Sequence, residues 1–383
     1  MGNVPNLRFP EFSGKWKKCT LGDITINFNL RNKEKIELPM YSVTNNRGFI
    51  PQSEQFEDRD MVGEDIKAYK IIHNKDFAYN PARINVGSIA KYNGSKPCMI
   101  SSLYVCFKAA NGIDEDWLMH LLRSPKIQYY YNINGEGGVR IYLFYPNFAR
   151  IRTSFPTIAE QRKIANLLSL LDARITTQNK IIEDLKKLKS AIIHCCYSSK
   201  TDMVSLSELL KQCSERNRSA TDLQVLSVNN KYGFIAQSDQ FEDREVASDD
   251  TTNYKVVEKG MFAYNPARIN VGSIALYEMD GKGIVSPMYV CFTTKRTLLP
   301  GYLKHYFASQ TFRHEMFKRL EGSVRLCLTF DSLCNIEIPL PSIELQENVG
   351  KYLSTIERKI SLEESMLSQY QLQRSYLLSQ MFI

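Results

Sequence analysis

Fourteen consecutive residues, Phe77 to Ala90 (FAYNPARINVGSIA), return unchanged at Phe262 to Ala275, and they carry the side chains best suited to chemistry. Tyr79, Asn80, Arg83, Asn85 and Ser88, with Tyr264, Asn265, Arg268, Asn270 and Ser273, offer donors and acceptors that read base edges and small hydroxyls that hold phosphates. Lys91 follows the first copy as a further cation. Arg140 and Arg325, each in a loop ahead of a strand, are second candidates for DNA contact. Pro81 and Gly87 would shape the loop. The plainer alternative is a structural core motif, with Phe77, Ile84, Val86 and Ile89 buried and Arg83 in an internal ion pair.

Catalysis is the rival chemistry. The sequence holds no G-x-x-x-x-G-K-[ST], no G-x-G-x-x-G at a strand-to-helix turn, no H-E-x-x-H and no G-x-S-x-G. Asn80-Pro81-Ala82-Arg83 has only a superficial likeness to the Asn-Pro-Pro-aromatic motif of amino-methyltransferases. Ala82 and Arg83 stand where the second proline and the base-stacking aromatic are needed. His73, His120, His194, His305 and His314 are read as structural or surface residues not shared between the copies. The nine cysteines are odd in number and lack C-x-x-C spacing, so they are read as reduced thiols, with Cys106 and Cys291 as small buried side chains of matching strands.

The elements that position the repeated loop are duplicated with it. At the same offset of 185, Ser42 to Arg59 lies over Ser227 to Arg244 with five differences, and the register runs on through Tyr104 to Phe107 over Tyr289 to Phe292. A repeat of this length is a whole domain rather than a solenoid unit. Residues 38–110 and 223–295 are rich in Val, Ile, Tyr and Phe, broken by Gly, Asn and Asp, which predicts short strands. Turns are expected at Asn46-Arg47-Gly48, at Lys231-Tyr232-Gly233 and, as a hairpin, at Asn93-Gly94. Helices follow at Asp116 to Arg123 and Tyr302 to Ala308.

Each domain then gives way to a heptad: Ile164, Leu168, Leu171, Ile175, Ile182, Leu185 and Ile192 in one copy, Val349, Leu353, Ile356, Ile360, Leu367, Tyr370 and Leu377 in the other. Thr157 and Glu160 have the spacing of a capping box after Pro156. The two helices are expected to pack on each other rather than each on its own domain. Ile181, Leu188 and Ile193 lie off the seam, where partner helices would sit.

The formal charge of +8 favours an acidic partner, but it is unevenly placed: +6 over residues 1–156, +4 over 157–200, and −1 over each of 201–341 and 342–383. A local basic surface must therefore carry any nucleic-acid contact. Without an apolar run of membrane length or a signal-peptide core, the reading is a cytoplasmic protein with no membrane partner.

The order domain, long helix, domain, long helix resembles the specificity subunit of type I restriction-modification systems. Leu7-Arg8-Phe9-Pro10-Glu11-Phe12, Trp16 and Leu21-Gly22-Asp23 carry the likeness, with Phe155-Pro156-Thr157-Ile158-Ala159-Glu160-Gln161-Arg162-Lys163-Ile164 at the first boundary. At the second, Ile338-Pro339-Leu340-Pro341-Ser342 matches, but Leu345 replaces the Glu before Gln346. The resemblance implies an α+β fold of two tandem-duplicated target-recognition domains (1–156 and 200–341), separated by two long antiparallel coiled-coil helices (157–199 and 342–383). It further implies a chain without catalysis or bound cofactor, reading a bipartite double-stranded DNA target. Two modification subunits would methylate adenines with S-adenosylmethionine, and two restriction subunits can join, bringing ATP and Mg. The identical loops predict half-sites related as near-inverted repeats. A coiled-coil adaptor or scaffold without DNA is the alternative.

Overall fold

The computed structural model describes residues 4–55, 66–137, 141–198, 202–218, 223–240, 250–322 and 326–383. Two compact units divide the chain, one of Met1–Asn179 with Ser365–Ile383 and one of Lys180–Glu364. In the first, the strands Thr25–Phe28, Val105–Ala109, Phe77–Tyr79 and Ile89–Lys91 form an antiparallel sheet in that order. The second repeats it with Leu210–Cys213, Val290–Thr294, Phe262–Tyr264 and Ile274–Leu276.

A second layer also recurs, with a difference. In the second unit Gly233–Ala236, Val225–Asn229, Lys282–Val285 and Lys255–Glu258 make one four-stranded sheet, closed by a parallel pairing of Val225 and Leu226 with Ile284 and Val285. In the first unit the corresponding strands are two pairs, Tyr41–Thr44 with Gly48–Pro51 and Lys70–Ile72 with Cys98–Ile100, and the parallel bridge Met40–Met99 joins them. Gly48 and Gly233 take φ of 66° and 68° in the expected hairpin turns, a conformation open to glycine. Asn93-Gly94 is not a hairpin turn: Ile89–Lys91 pairs with Phe77–Tyr79 while Cys98–Ile100 pairs with Lys70–Ile72, so the segment crosses from one layer to the other.

The strand alternation explains the core. Phe77 and Tyr79 share a face, and both are fully buried, as are Phe262 and Tyr264. Phe77 stacks on Phe107 at 5.0 Å and Phe262 on Phe292 at 5.2 Å. Cys106 and Cys291 are buried in the matching strands, and burial pushes both thiols up to about 12, which keeps them protonated.

The long helices run Ile158–Tyr197 and Ile343–Met381, 40 and 39 residues. Within the first unit they pair through Arg374 and Asp172 and through Arg174 over the Tyr370 ring at 5.3 Å. Within the second, Lys186 meets Glu364 at 2.6 Å and Lys189 meets Glu357 at 2.7 Å. In both units higher numbers on one helix meet lower numbers on the other, so the pairing is antiparallel. Buried Ile164, Leu168, Ile182, Val349, Leu353, Ile360 and Leu377 lie at the heptad positions, together with Gln178 and Glu363.

The helices also belong to the domain cores, which the heptad did not reveal. Ile164 and Leu168 join the core of the first unit with Leu377, Leu378, Met381 and Phe382, and Ile193, Tyr197, Val349 and Leu353 join that of the second. Each domain thus takes its apolar cover from both helices. Ile181 and Leu188 are exposed as expected, but Ile193 is 6% exposed and is a core residue rather than a face for partners.

The opening segment is anchored on the start of the central helix. Glu160, 1% exposed, accepts from Arg8 at 2.8 and 2.7 Å and from the Trp16 indole at 3.1 Å. The capping box is therefore half-made: Thr157 Oγ1 accepts from the Glu160 N–H at 3.4 Å, while the Glu160 carboxylate is spent on Arg8. Gln161 and Gln346 act alike in the two copies. Each accepts from a backbone N–H, of Asp114 or Leu299, and donates to the carbonyl of Pro156 or Pro341. Among the described residues no helix is long and apolar enough to cross a membrane.

Candidate nucleic-acid interface

The repeated loop is built the same way twice. After the strand Phe77–Tyr79, Asn80 Oδ1 accepts from the Ala82 N–H at 3.0 Å, and Asn265 Oδ1 from Ala267 at the same distance. These Asx turns begin the reversal. A single 3-10 turn follows, Ile84–Val86 or Ile269–Val271, and Gly87 and Gly272 close it at φ 96° and 92°. Ser88 Oγ then donates to the Val43 carbonyl at 2.7 Å, and Ser273 Oγ to Val228 at 3.0 Å, tying the loop to the neighbouring layer. The Pro81 and Pro266 carbonyls accept from Leu143 and Leu328.

This geometry sorts the candidates. Tyr79 and Tyr264, at 0% exposure, and Ser88 and Ser273, at 2% and 4%, are framework residues and do not present to a duplex. Strand alternation carries the tyrosines into the core, and the two serine hydroxyls are spent on backbone carbonyls. Lys91 is held in an ion pair with Asp116 and stands opposite Leu276 of the other copy, so it is no free cation. Asn80 and Asn265 shape the turn. Asn85 is half-buried and donates to Asn132 at 3.3 Å, while Asn270 is half-buried beside Arg313. Arg140 and Arg325 lie outside the described residues, as do residues 56–59 and 241–244 of the longer repeat.

Arg83 and Arg268 remain. Both are exposed, and neither guanidinium has a side-chain partner among the described residues, so the internal ion pair of the core-motif alternative is absent there. Beside them stand Val86 and Val271, 54% and 53% exposed, whereas the core-motif alternative has Val86 buried. The 3-10 turn rotates the valine away from the face that buries Ile84 and Ile269. An exposed guanidinium with an apolar neighbour suits a guanine edge beside a thymine methyl.

A second duplicated constellation escaped the sequence reading. His120 and His305 are counterparts at the offset of 185, which corrects the expectation that no histidine is shared. His120 Nε2 lies 3.1 Å from Ser169 Oγ and its Nδ1 4.0 Å from Asp172, which pairs with Arg374. His305 Nε2 lies 3.4 Å from Ser354 Oγ and its Nδ1 3.7 Å from Glu357, which pairs with Lys189. Desolvation depresses His120 to about 4 against the pull of Asp172, and it lowers His305 as well. The Ser–His–carboxylate order is that of a hydrolytic triad, but both carboxylates stand beyond hydrogen-bond reach of the ring. The histidines fasten each sheet domain to the paired helices. Aligning the copies residue by residue, instead of surveying histidines along the chain, would have found them.

Residues 199–369 match the family model of the type I restriction modification DNA specificity domain. The match covers the second copy, and the first repeats its sequence blocks, its main sheet and its loop. The chain is 23% identical, over 94% of its length and 91% of the relative's, to the type I restriction enzyme MjaX specificity subunit of Methanocaldococcus jannaschii. Its fold is similar to the crystal structure of the type I restriction-modification system S subunit from M. genitalium, with a TM-score of 0.63, 15% identity and 99% of each chain covered. It is also similar to a chain from a study of complex assembly and conformational transition of the type I R-M system, with a TM-score of 0.54, 14% identity and 96% and 97% covered. In sequence and fold the chain is similar to type I specificity subunits, and its two copies hold Arg83 and Arg268 exposed on identical loops.

Proposed function

We propose that the chain is the DNA-reading subunit of a type I restriction-modification complex and performs no catalysis itself. Each specificity domain reads one half of a bipartite duplex target through its repeated loop. Two modification subunits, using S-adenosylmethionine, methylate adenines in the site so chosen, and two restriction subunits join with ATP and Mg. The observation that carries this reading is the pair of exposed, unpartnered arginines at the same place in an identical loop. A scaffold without DNA gives no reason to keep an exposed Arg and Val unchanged in both copies while the supports beneath them differ.

Because the loops are identical, the two half-sites should share part of their base pattern when compared on opposite strands, around a non-specific spacer. Sequencing methylated adenines in host DNA with and without this gene tests both statements. A bipartite motif that vanishes with the gene supports the reading. An unchanged methylome overturns it, and half-sites with no common bases overturn the symmetry alone. Salt-dependent retention of duplex DNA by the assembled complex separates a DNA reader from a scaffold.

A further inference from the structure

The side-chain carbonyl oxygen of Gln52 is buried without a hydrogen-bond partner among the described residues, and so is that of Gln237. Native interiors rarely leave such an acceptor unmatched, and here it happens twice at the offset of 185. Gln52 begins the short helix after the strand Gly48–Pro51, and its backbone N–H is fixed to the Met40 carbonyl at 2.9 Å. It lines a cavity of about 280 Å³ together with Arg83, Ser101, Leu103 and Tyr104. Gln237, Arg268, Ser286 and Tyr289 keep the same residue types in the other copy, where Met288 replaces Leu103. Leu103 and Met288 are among the most exposed apolar side chains of the protein, at 79% and 71%.

Two other polar residues of this wall are committed. Asn80 Oδ1 holds the Asx turn and Ser88 Oγ the Val43 carbonyl, whereas the Gln52 carboxamide and the Arg83 guanidinium have no partner among the described residues. A carboxamide offers one donor and one acceptor in a plane, the complement of the N7 and N6 positions of adenine, as a guanidinium complements guanine. The geometry points to Gln52 and Gln237 as specificity-determining residues, each reading an adenine in its half-site beside the base read by Arg83 or Arg268. The carboxamide reaches the base edge by rotating its side chain into the cavity it lines. Leu103 and Met288, exposed at the rim and different in the two copies, tune the neighbouring base. This assignment rests on the DNA reading proposed above.

The test is selection of binding sites from a randomised pool of double-stranded DNA by the full chain assembled with its modification subunits. Gln52→Ala should lower discrimination at one base position of one half-site by roughly 10- to 100-fold and leave the other half-site unchanged, with Gln237→Ala acting on the other half. Gln52→Glu keeps the acceptor and loses the donor, so preference at that position should move from adenine to cytosine. Wild-type sites enriched by Gln52→Ala overturn the assignment. So does uniform weakening across all bases together with a lowered melting temperature, the mark of a structural role. If Arg83→Ala relaxes one half-site and Gln52→Ala does not, this assignment fails while the DNA reading stands. A wild-type complex that enriches no sequence overturns the DNA reading and this assignment with it.

Discussion

The two specificity domains share a loop and differ in what holds it. In the first, Arg8 and Trp16 converge on a buried Glu160. In the second, Leu345 replaces that glutamate, exposed at 52%, and the residue at the offset of Arg8 is Ile193, part of the core. The buried tyrosines differ too. Tyr264 donates to the Leu328 carbonyl at 3.1 Å, whereas the Tyr79 hydroxyl is buried without a partner. Lys91 and Asp116 form an ion pair where the second copy has Leu276 and Gly301. The supports have diverged while the outward residues Arg83 and Val86 are unchanged, so identity between the copies tracks the proposed reading surface as well as the scaffold.

The comparison breaks most sharply at Glu160. Replacing it with Leu, as at the second boundary, leaves Arg8 only the Ser13 and Gly14 carbonyls and strands the Trp16 N–H, and should destabilise the first domain by about 1–3 kcal/mol. Adding Arg8→Leu should recover part of that loss, because the uncompensated charge is gone. Hydrogen exchange at Phe77–Tyr79 reads this against Phe262–Tyr264, which should not respond.

Acid tests the histidine fastenings. Burial holds the folded-state His120 at about 4, below its ordinary 6.5, so its contribution is complete above about pH 6.5 and is lost as the pH falls from there toward 4. The loss is at most about 3 kcal/mol. Denaturation followed at pH 7 and pH 5 should show it, and His120→Gln should flatten the dependence in the first domain only.

At the reading surface, Arg83→Ala should relax one half-site by about 1–3 kcal/mol and Arg268→Ala the other. Stability should change by less than about 0.5 kcal/mol, since both side chains are exposed. Equal losses at both halves from one substitution would show that the loops do not read separately. The smallest contrast is at the tyrosines. Tyr264→Phe removes a made hydrogen bond and should cost about 0.5–1.5 kcal/mol, whereas Tyr79→Phe removes an orphaned hydroxyl and should be neutral or stabilising. Thermal melts of the two variants decide it.

Much of this architecture was legible because duplication acts as an internal alignment. The strands, the two-helix order and the capping glutamines all showed at the offset. Tyr79 was misread because its polar end drew notice, although its place two residues from Phe77 on one strand face sends it inward. The core-motif alternative buried Val86, since hydrophobicity alone does not show that a 3-10 turn points a residue outward. The Glu160 anchor was hidden by distance: its partner Arg8 lies 152 residues away, and a capping box explained the same spacing locally. Gln52 gave no sign, because an unmatched acceptor exists only once its surroundings are built.

The closing residues of the first core, Leu377, Leu378, Met381 and Phe382, come from Ser365–Ile383, and Leu7 donates its N–H to the Gln380 carbonyl at 3.0 Å. On the ribosome this reverses the usual order of maturation. The domain synthesised first must wait, with an apolar face uncovered, while residues 180–364 are made, roughly 10–40 s at ordinary elongation rates. A message cut short within residues 365–383 would therefore leave uncovered the core at the other end of the chain, while the second unit is already complete.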